Sequence, residues 1–455
     1  MDTIAAISTG NCISAIGIIR ISGDKSIPVL QNIFRPESKS VKVSEFKNRK
    51  LYLGKILNKN NEVLDECMVT VSRSPNSYTG EDTAEIQCHG SPIVLREMLE
   101  LLFNNGIRQA LPGEFTKRAF LNNKLDLTQS EAVIDLIEAE TAEAAKNAAG
   151  QLSGAISKKI NEIYDSLKNI SAHYHAVLDY PDEDIEEFEL NDYIIILNNV
   201  KKTLSDLLST FNHGKILKSG IETVIIGKPN AGKSSLLNAI LGYNRAIVTD
   251  VPGTTRDTIE EKNKIGRHLL RLNDTAGIHF TNDIIEKEGV NRSLEKINSA
   301  SLILAVFDSS DSFTSDDELI LNKANNSSKA IIIINKSDLE STDNIRNMIN
   351  TNHPVISVSA KTGDGLEKLN NVLDTLFPDL SVPAGEILTN LRQADAVSES
   401  LDYINASLDA LNAGNTPDIV LTETEGAMNA LGKITGRNIH EDITKRIFER
   451  FCVGK

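Results

Sequence analysis

Apolar residues along this chain change their spacing several times, and each change marks a part. Up to residue 118 they come in short runs. Residues 15–21 (interrupted by Gly17), 68–71 and 84–88 read as strands. Ser74-Pro-Asn-Ser77 and Thr79-Gly80 are turn signals between them. Over 92–103 the period lengthens, and Val94, Leu95, Met98, Leu101 and Leu102 fall on one helical face. An α+β domain is expected over 1–118.

From 119 the texture is helical. Val133, Ile134, Ile137, Ile156, Ile160, Ile163, Leu167 and Ile170 keep helical spacing in an Ala-rich stretch. Two long helices are expected, jointed near Gly150 or Gly154, with Thr128 and Glu131 as a capping box at the start. Pro181 ends the run. Residues 179–189 hold seven acidic side chains and no basic one, which reads as a solvated loop. Residues 193–208 read as an amphipathic helix and 211–220 as a linker. Strand and helix alternate over 217–378, as in a parallel sheet, with 302–307 and 330–334 as central strands. A second linker spans 378–385, and helical spacing resumes over 387–414 and 425–451. The phosphate-binding stretch described next is therefore expected as an insertion in a helical domain. The expected parts are 1–118, 119–216, 217–380 and 381–455.

Residues 223–226 form an apolar strand, and Gly227-Lys-Pro-Asn-Ala-Gly-Lys-Ser234 follows it with phosphate-loop spacing. The glycines let backbone N–H groups curl round a polyphosphate. Asn230, Ala231 and Gly232 shape the turn, Lys233 reaches the β and γ phosphates, and Ser234 suits Mg2+. Ser235 opens a helix whose N-terminus also faces the anion.

Three later motifs select the nucleotide. Asp274, Thr275, Ala276 and Gly277 follow a strand; the carboxylate can hold Mg2+ through water and the glycine N–H can sense a γ phosphate. Asn335, Lys336 and Asp338 follow strand 331–334, and Asp338 can accept both N–H groups of a guanine edge. Ser359, Ala360 and Lys361 can bring a backbone N–H to guanine O6. The four motifs stand in the order of a Ras-like, doubly wound GTP-binding domain. The candidate first switch is Thr249, Asp250, Val251, Pro252, Gly253, Thr254 and Thr255, where Thr254 or Thr255 could bind Mg2+. Ile278 stands where Ras-type enzymes carry a water-orienting Gln, so hydrolysis needs another device. Arg256 and Arg292 are candidate arginine fingers, Asn230 could help hold a monovalent cation, and Glu286 could orient water.

Composition narrows the setting. At 455 residues, roughly three domains of ~150 residues are expected. No signal peptide is legible, and no apolar run is long enough to span a bilayer. Cys12, Cys67, Cys88 and Cys452 form no C-x-x-C pair, which fits a reducing cytoplasm. A net charge of −15 argues against a chain that wraps nucleic acid unaided. Cys88-His89 lacks a second pair at zinc spacing, and His173 and His175 point to different helix faces.

Along its whole length the chain resembles the MnmE (TrmE) family of tRNA-modifying GTPases. The segments that carry the likeness are Asp2-Thr-Ile4, residues 17–23, Ser77-Tyr-Thr-Gly-Glu-Asp82, His89-Gly90, residues 112–127, Tyr180-Pro-Asp-Glu-Asp184, residues 249–257 and the terminal Phe451-Cys-Val-Gly-Lys455. The resemblance implies a homodimer formed through a folate-binding N-terminal domain. It implies an FAD-dependent partner, MnmG (GidA), and together an aminomethyl or carboxymethylaminomethyl group placed on C5 of a wobble uridine of certain tRNAs. A 5-formyl- or methylene-tetrahydrofolate would supply the carbon. It implies GTP hydrolysis with Mg2+ and K+, no membrane, and a cytoplasmic setting. Arg20, Glu85 and Lys124 match folate-contacting positions, and Lys455 joins the cofactor-binding set. Asn230, Thr249, Val251 and Thr254 match K+ ligands, Ser234 and Thr255 Mg2+ ligands, and Glu286 the water-orienting residue. Cys452, on a tail expected to be exposed and mobile, is a candidate nucleophile or one-carbon carrier. Two departures occur. Pro252 replaces the family's Ala, and the loop 8–12 lacks a Pro-Pro-Gly-Arg type of sequence. A regulatory GTP switch, or a folate-binding module joined to an unrelated GTPase, would share the guanine motifs.

Overall fold

In the computed structural model the described residues are 2–10, 12–179, 190–243, 260–273, 300–339, 344–378, 381–437, 447–449 and 451–454. They form two compact units. One comprises Met1–Glu138, Ala148–Asp206 and Arg392–Lys455; the other comprises Ala139–Asn147 and Leu207–Leu391.

The first unit opens with seven strands: β1 (Ile4–Ile7), β2 (Ser14–Ser22), β3 (Phe34–Pro36), β4 (Tyr52–Leu57), β5 (Val63–Ser72), β6 (Thr83–Gly90) and β7 (Arg108–Gln109). Their order is β3-β4-β5-β6-β2-β1-β7, antiparallel except for β1 with β7. Two helices, α1 (Ser26–Ile33) and α2 (Pro92–Asn104), cover one face. Leu30, Leu95, Met98 and Leu102 from the helices pack with Ile19, Ile21, Val69, Val71 and Ile86 from alternate strand positions.

Next come α3 (Glu114–Leu121), α4 (Leu127–Ile137), α5 (Ala142–Leu152), α6 (Ala155–Asp179) and α7 (Leu190–Ser209). Two helices were expected over 131–178, and three are found. The extra break falls where no Gly or Pro announces it: the Thr141 hydroxyl accepts from the Ala144 N–H at 3.1 Å and starts α5 afresh. The other break is at Gly154, whose φ of +91° ends α5. The capping box also moves. Asp126 is the N-cap, exchanging bonds with Gln129 at 2.9 and 3.0 Å. Thr128 instead meets Ser157 at 2.7 Å. Glu131 is taken by Arg392, whose Nε and Nη2 reach its two oxygens at 2.9 and 2.8 Å. Gln393 adds a bond to Glu131 at 2.8 Å.

Residues 211–220 hold a helix, α8 (Phe211–Ser219), rather than a linker. Gly214 is tolerated inside it because a Cβ there would collide with the Leu388 carbonyl.

The second unit is built on β8 (Ile221–Gly227), β9 (Glu260–Ile265), β10 (His268–Asn273), β11 (Leu302–Asp308), β12 (Ala330–Asn335) and β13 (Val355–Ser357), in order β13-β12-β11-β8-β10-β9. Only β9 runs antiparallel. The helices are α9 (Lys233–Tyr243), α10 (Ser315–Asn325), α11 (Asn344–Met348) and α12 (Leu366–Leu376). The apolar runs are continuous because both faces are covered. Leu302, Leu304, Val306, Ile331 and Ile333 enter one core; Ile303, Ala305, Phe307, Ala330 and Ile332 enter the other.

The chain then returns to the first unit through α13 (Leu391–Asn412) and α14 (Pro417–Thr435), the latter packed along α6. Among the described residues no helix is long and apolar enough to cross a membrane.

Candidate nucleotide-binding site

The site lies at the carboxyl ends of β8 and β12. β8 is forced into the centre of the sheet by its buried run, so the loop after Gly227 emerges at the rim where ligands of such sheets gather. The loop turns through left-handed backbone at Asn230 (φ +65°) and Gly232 (φ +89°). A Cβ on Gly232 would collide with the side-chain amide of Asn335. Lys233 Nζ donates to the carbonyls of Gly227 and Lys228, both at 2.8 Å. Burial pulls that ammonium below the ordinary lysine value. Ser234 and Ser235 lie exposed in the first turn of α9.

Asn335 closes β12 and reaches two motifs at once. Its Nδ2 donates to the Ala231 carbonyl at 3.0 Å, and its Oδ1 accepts from the Ala360 N–H at 3.0 Å. The Ser359 hydroxyl donates to Asp338 at 2.6 Å. That bond, with help from Lys361 and Lys336, holds the exposed Asp338 carboxyl below the usual carboxylate range, so it is an acceptor at neutral pH. Gly232, Ser235, Asn335, Lys336, Asp338 and Lys361 line a cleft of about 630 Å³. Such a cleft takes a nucleotide. Its lining brings the Gly232 turn together with Lys336, Lys361 and the ionised Asp338 carboxylate, and Lys233 follows Gly232 on the loop.

Three of the expected motifs thus converge. Thr249, Asp250, Val251, Pro252, Gly253, Thr254 and Thr255 lie outside the described residues. So do Arg256, Asp274, Thr275, Ala276, Gly277, Ile278, Glu286, Arg292, Lys455 and the acidic stretch 180–189.

Two supports escaped the sequence reading. Asp308, at the end of β11, accepts from Lys336 Nζ at 2.5 Å. Asp317, at the start of α10, pairs with Lys228 at 2.7 Å. Asp308 directly follows the apolar run 302–307, and the carboxyl end of a buried parallel strand was the available signal.

In the first unit, Arg20 on β2 and Glu85 on β6 are register partners and pair at 2.9 Å. The Arg20 guanidinium lies over the rings of Tyr78 and Phe115, 5.3 and 5.8 Å from their centroids. Lys124 is exposed, its stem beside Gly80. Arg118, 5% exposed at its side chain, gathers Asp2, Glu81 and Glu114 within 3.0 Å. Cys452 is exposed, but its backbone is docked rather than loose. Its carbonyl accepts from the Gly113 N–H at 3.3 Å, Val453 bridges Pro112, and the Ser8 hydroxyl donates to the Gly454 carbonyl at 3.1 Å. His89 pairs with Asp65 at 2.8 Å and His175 with Glu425 at 2.8 Å.

Two family models match the chain: the MnmE helical domain over residues 127–452 and the GTP-binding protein TrmE N-terminus over residues 3–124. The tRNA modification GTPase MnmE of Thermoanaerobacter pseudethanolicus is 41% identical over 100% of this chain and 99% of its own length. That of Clostridioides difficile is 42% identical, with the same coverage. Among solved structures, the G domain of the T. maritima FeoB iron transporter is 25% identical over 34% of this chain and 98% of its own, with a TM-score of 0.26. Aquifex aeolicus Era bound to GDP.AlF4- is 25% identical over 40% of this chain and 66% of its own, with a TM-score of 0.29.

Proposed function

Because the chain belongs to the MnmE family of tRNA modification GTPases, we propose that its GTP hydrolysis drives placement of an aminomethyl or carboxymethylaminomethyl group on C5 of a wobble uridine. In this reading the enzyme works as a homodimer with an FAD-dependent flavoprotein, MnmG, and a methylene-folate supplies the carbon. The carrying observation is the convergence of Gly232, Asn335 and Asp338 on one cleft, with Lys233 next to Gly232 on the phosphate loop, within a chain similar from end to end to proteins of that name.

The parts divide the work. Residues 217–380 bind and hydrolyse GTP, 1–118 bind folate and dimerise, and 119–216 with 381–455 form the helical domain that carries Cys452. Lys233 and the loop N–H groups hold the phosphates, and Asp338 accepts from the guanine edge. Ser234 and Thr255 would hold Mg2+; Asn230, Thr249, Val251 and Thr254 would hold K+. When bound, these cations would supply positive charge to the phosphates that Lys233 and the loop hold. Glu286 orients the attacking water. Arg20, Glu85 and Lys124 contact folate. The paired state of Arg20 and Glu85 means a ligand must exchange bonds with both rather than meet free charges. With a charge of −15, the chain is expected to bind tRNA weakly without its partner.

Mass spectrometry of wobble nucleosides in a deletion strain, with and without the restored gene, tests the reading. Loss of the C5 group and its return on complementation are expected; an unchanged nucleoside profile refutes it.

A further inference from the structure

Both ends of the nucleotide cleft are fastened to one short segment. On the phosphate side, the Lys228 carbonyl helps hold Lys233. Its side chain leaves the cleft and meets Asp317 at 2.7 Å and Asp311 at 3.4 Å. The Lys228 and Asp317 side chains are 13% and 4% exposed, so this is an anchored contact rather than a waving surface pair. Asp317 is itself fixed, because it accepts from the Thr314 N–H at 2.8 Å and hydroxyl at 3.0 Å and so caps α10.

On the base side, Lys336 has a left-handed backbone (φ +65°), a conformation a non-glycine residue holds only when its surroundings fix it. Asp308 takes its ammonium at 2.5 Å, and the Ser309 hydroxyl donates to its carbonyl at 2.9 Å. Asp308 is tied in turn to the N–H and hydroxyl of Ser310, at 2.9 and 2.7 Å. Asp338 stands two residues beyond Lys336.

We propose that the segment from Asp308 to Asp317 is a bracket that sets the distance between the base-reading and phosphate-holding motifs, Asp308 acting through Lys336 and Asp317 through Lys228. The four are positioning residues. The proposal rests on the guanine-nucleotide reading of the cleft. Its consequence is asymmetric. Loosening Lys228 disturbs the grip on phosphates, which every purine nucleotide shares. Loosening Lys336 disturbs the grip on the base, which depends on the guanine amine.

The test uses the full chain and measures dissociation constants for GTP, GDP and ITP, which lacks that amine, together with kcat, KM and thermal unfolding. Lys228→Met is expected to weaken all three nucleotides by roughly tenfold (about 1.4 kcal/mol) with the GTP/ITP ratio unchanged, and Lys228→Arg to restore most of the loss. Asp308→Asn is expected to weaken GTP more than ITP, so that the ratio falls several-fold. Both variants should raise KM more than they lower kcat. Wild-type affinities in Lys228→Met and Asp308→Asn overturn the bracket. So do losses fully accounted for by a smaller folded fraction. If wild-type protein takes up ATP as readily as GTP, the nucleotide reading falls, and the bracket with it.

Discussion

The side-chain amide of Asn335 donates to the carbonyl of Ala231 across 3.0 Å, so a residue of the base-reading turn is also a strut of the phosphate loop. Asn335 is 1% exposed, and its other amide atom serves the Ala360 N–H. Asn335→Ala strands the buried Ala231 carbonyl, at about 1–3 kcal/mol, and the half-buried Ala360 N–H at less. Loss of GDP affinity by at least ~10-fold is expected. Calorimetry giving wild-type affinity would show that the strut is dispensable.

Asp338 discriminates by accepting two N–H groups. Asp338→Asn replaces one acceptor oxygen by a donor, which suits the O2 of xanthine and opposes the amine of guanine. Weaker GTP binding and gained XTP binding are expected in competition assays. Undiminished GTP affinity would remove Asp338 from base recognition.

Asn230 stands in left-handed backbone at the turn of the phosphate loop, and no Gln occupies position 278. A monovalent cation is expected to take the place of a finger residue. Hydrolysis should run faster in K+ than in Na+ at equal ionic strength, and equal rates would dismiss the cation.

Arg392 and Glu131 join α13 to α4 in a two-bond contact, with Glu131 4% exposed. Arg392→Met leaves a buried carboxylate with Gln393 as its remaining partner named above. Destabilisation by about 3–5 kcal/mol is expected in urea unfolding, and adding Glu131→Leu should recover much of it. A single variant as stable as the wild type would make the pair ornamental.

Burial pushes the Cys67 thiol up to about 12 and the Cys88 thiol up to about 11, with the Asp65 charge adding to both. Cys12 and Cys452 are exposed. At pH 8 an alkylating reagent should label Cys12 and Cys452 in folded protein and all four thiols after unfolding. Because folding raises both buried values, their contribution is complete below the unfolded thiol value and is lost as pH climbs through it toward 11 and 12. Rapid native labelling of Cys67 would mean that the sheet opens.

The strand, glycine turn and helix around 221–243 were legible because each signal is local: an apolar run, a spacing, a helical stretch from Ser235. The guanine motifs were legible for the same reason. What stayed hidden depends on residues far apart in sequence. The helix Phe211–Ser219 carries a glycine whose meaning lies in the Leu388 carbonyl. The break before α5 has no breaker residue, only the Thr141 hydroxyl. Arg20 and Glu85 looked like separate ligand contacts because the β2–β6 register, which makes them partners, is not written in either strand. Lys228, Asp308 and Asp317 are ordinary charges until the sheet brings them together.

The clasp between Ser8 and Gly454 joins positions 446 apart. A ribosome adding ~5–20 residues per second delivers the second of them on the order of tens of seconds after the first. The strand partners of β1, β2 and β7, have been made long before. The seam therefore closes only after the whole nucleotide-binding stretch has been made, and a nascent polypeptide interrupted between the two would hold the residues of the cleft while Ser8 still waited for its acceptor.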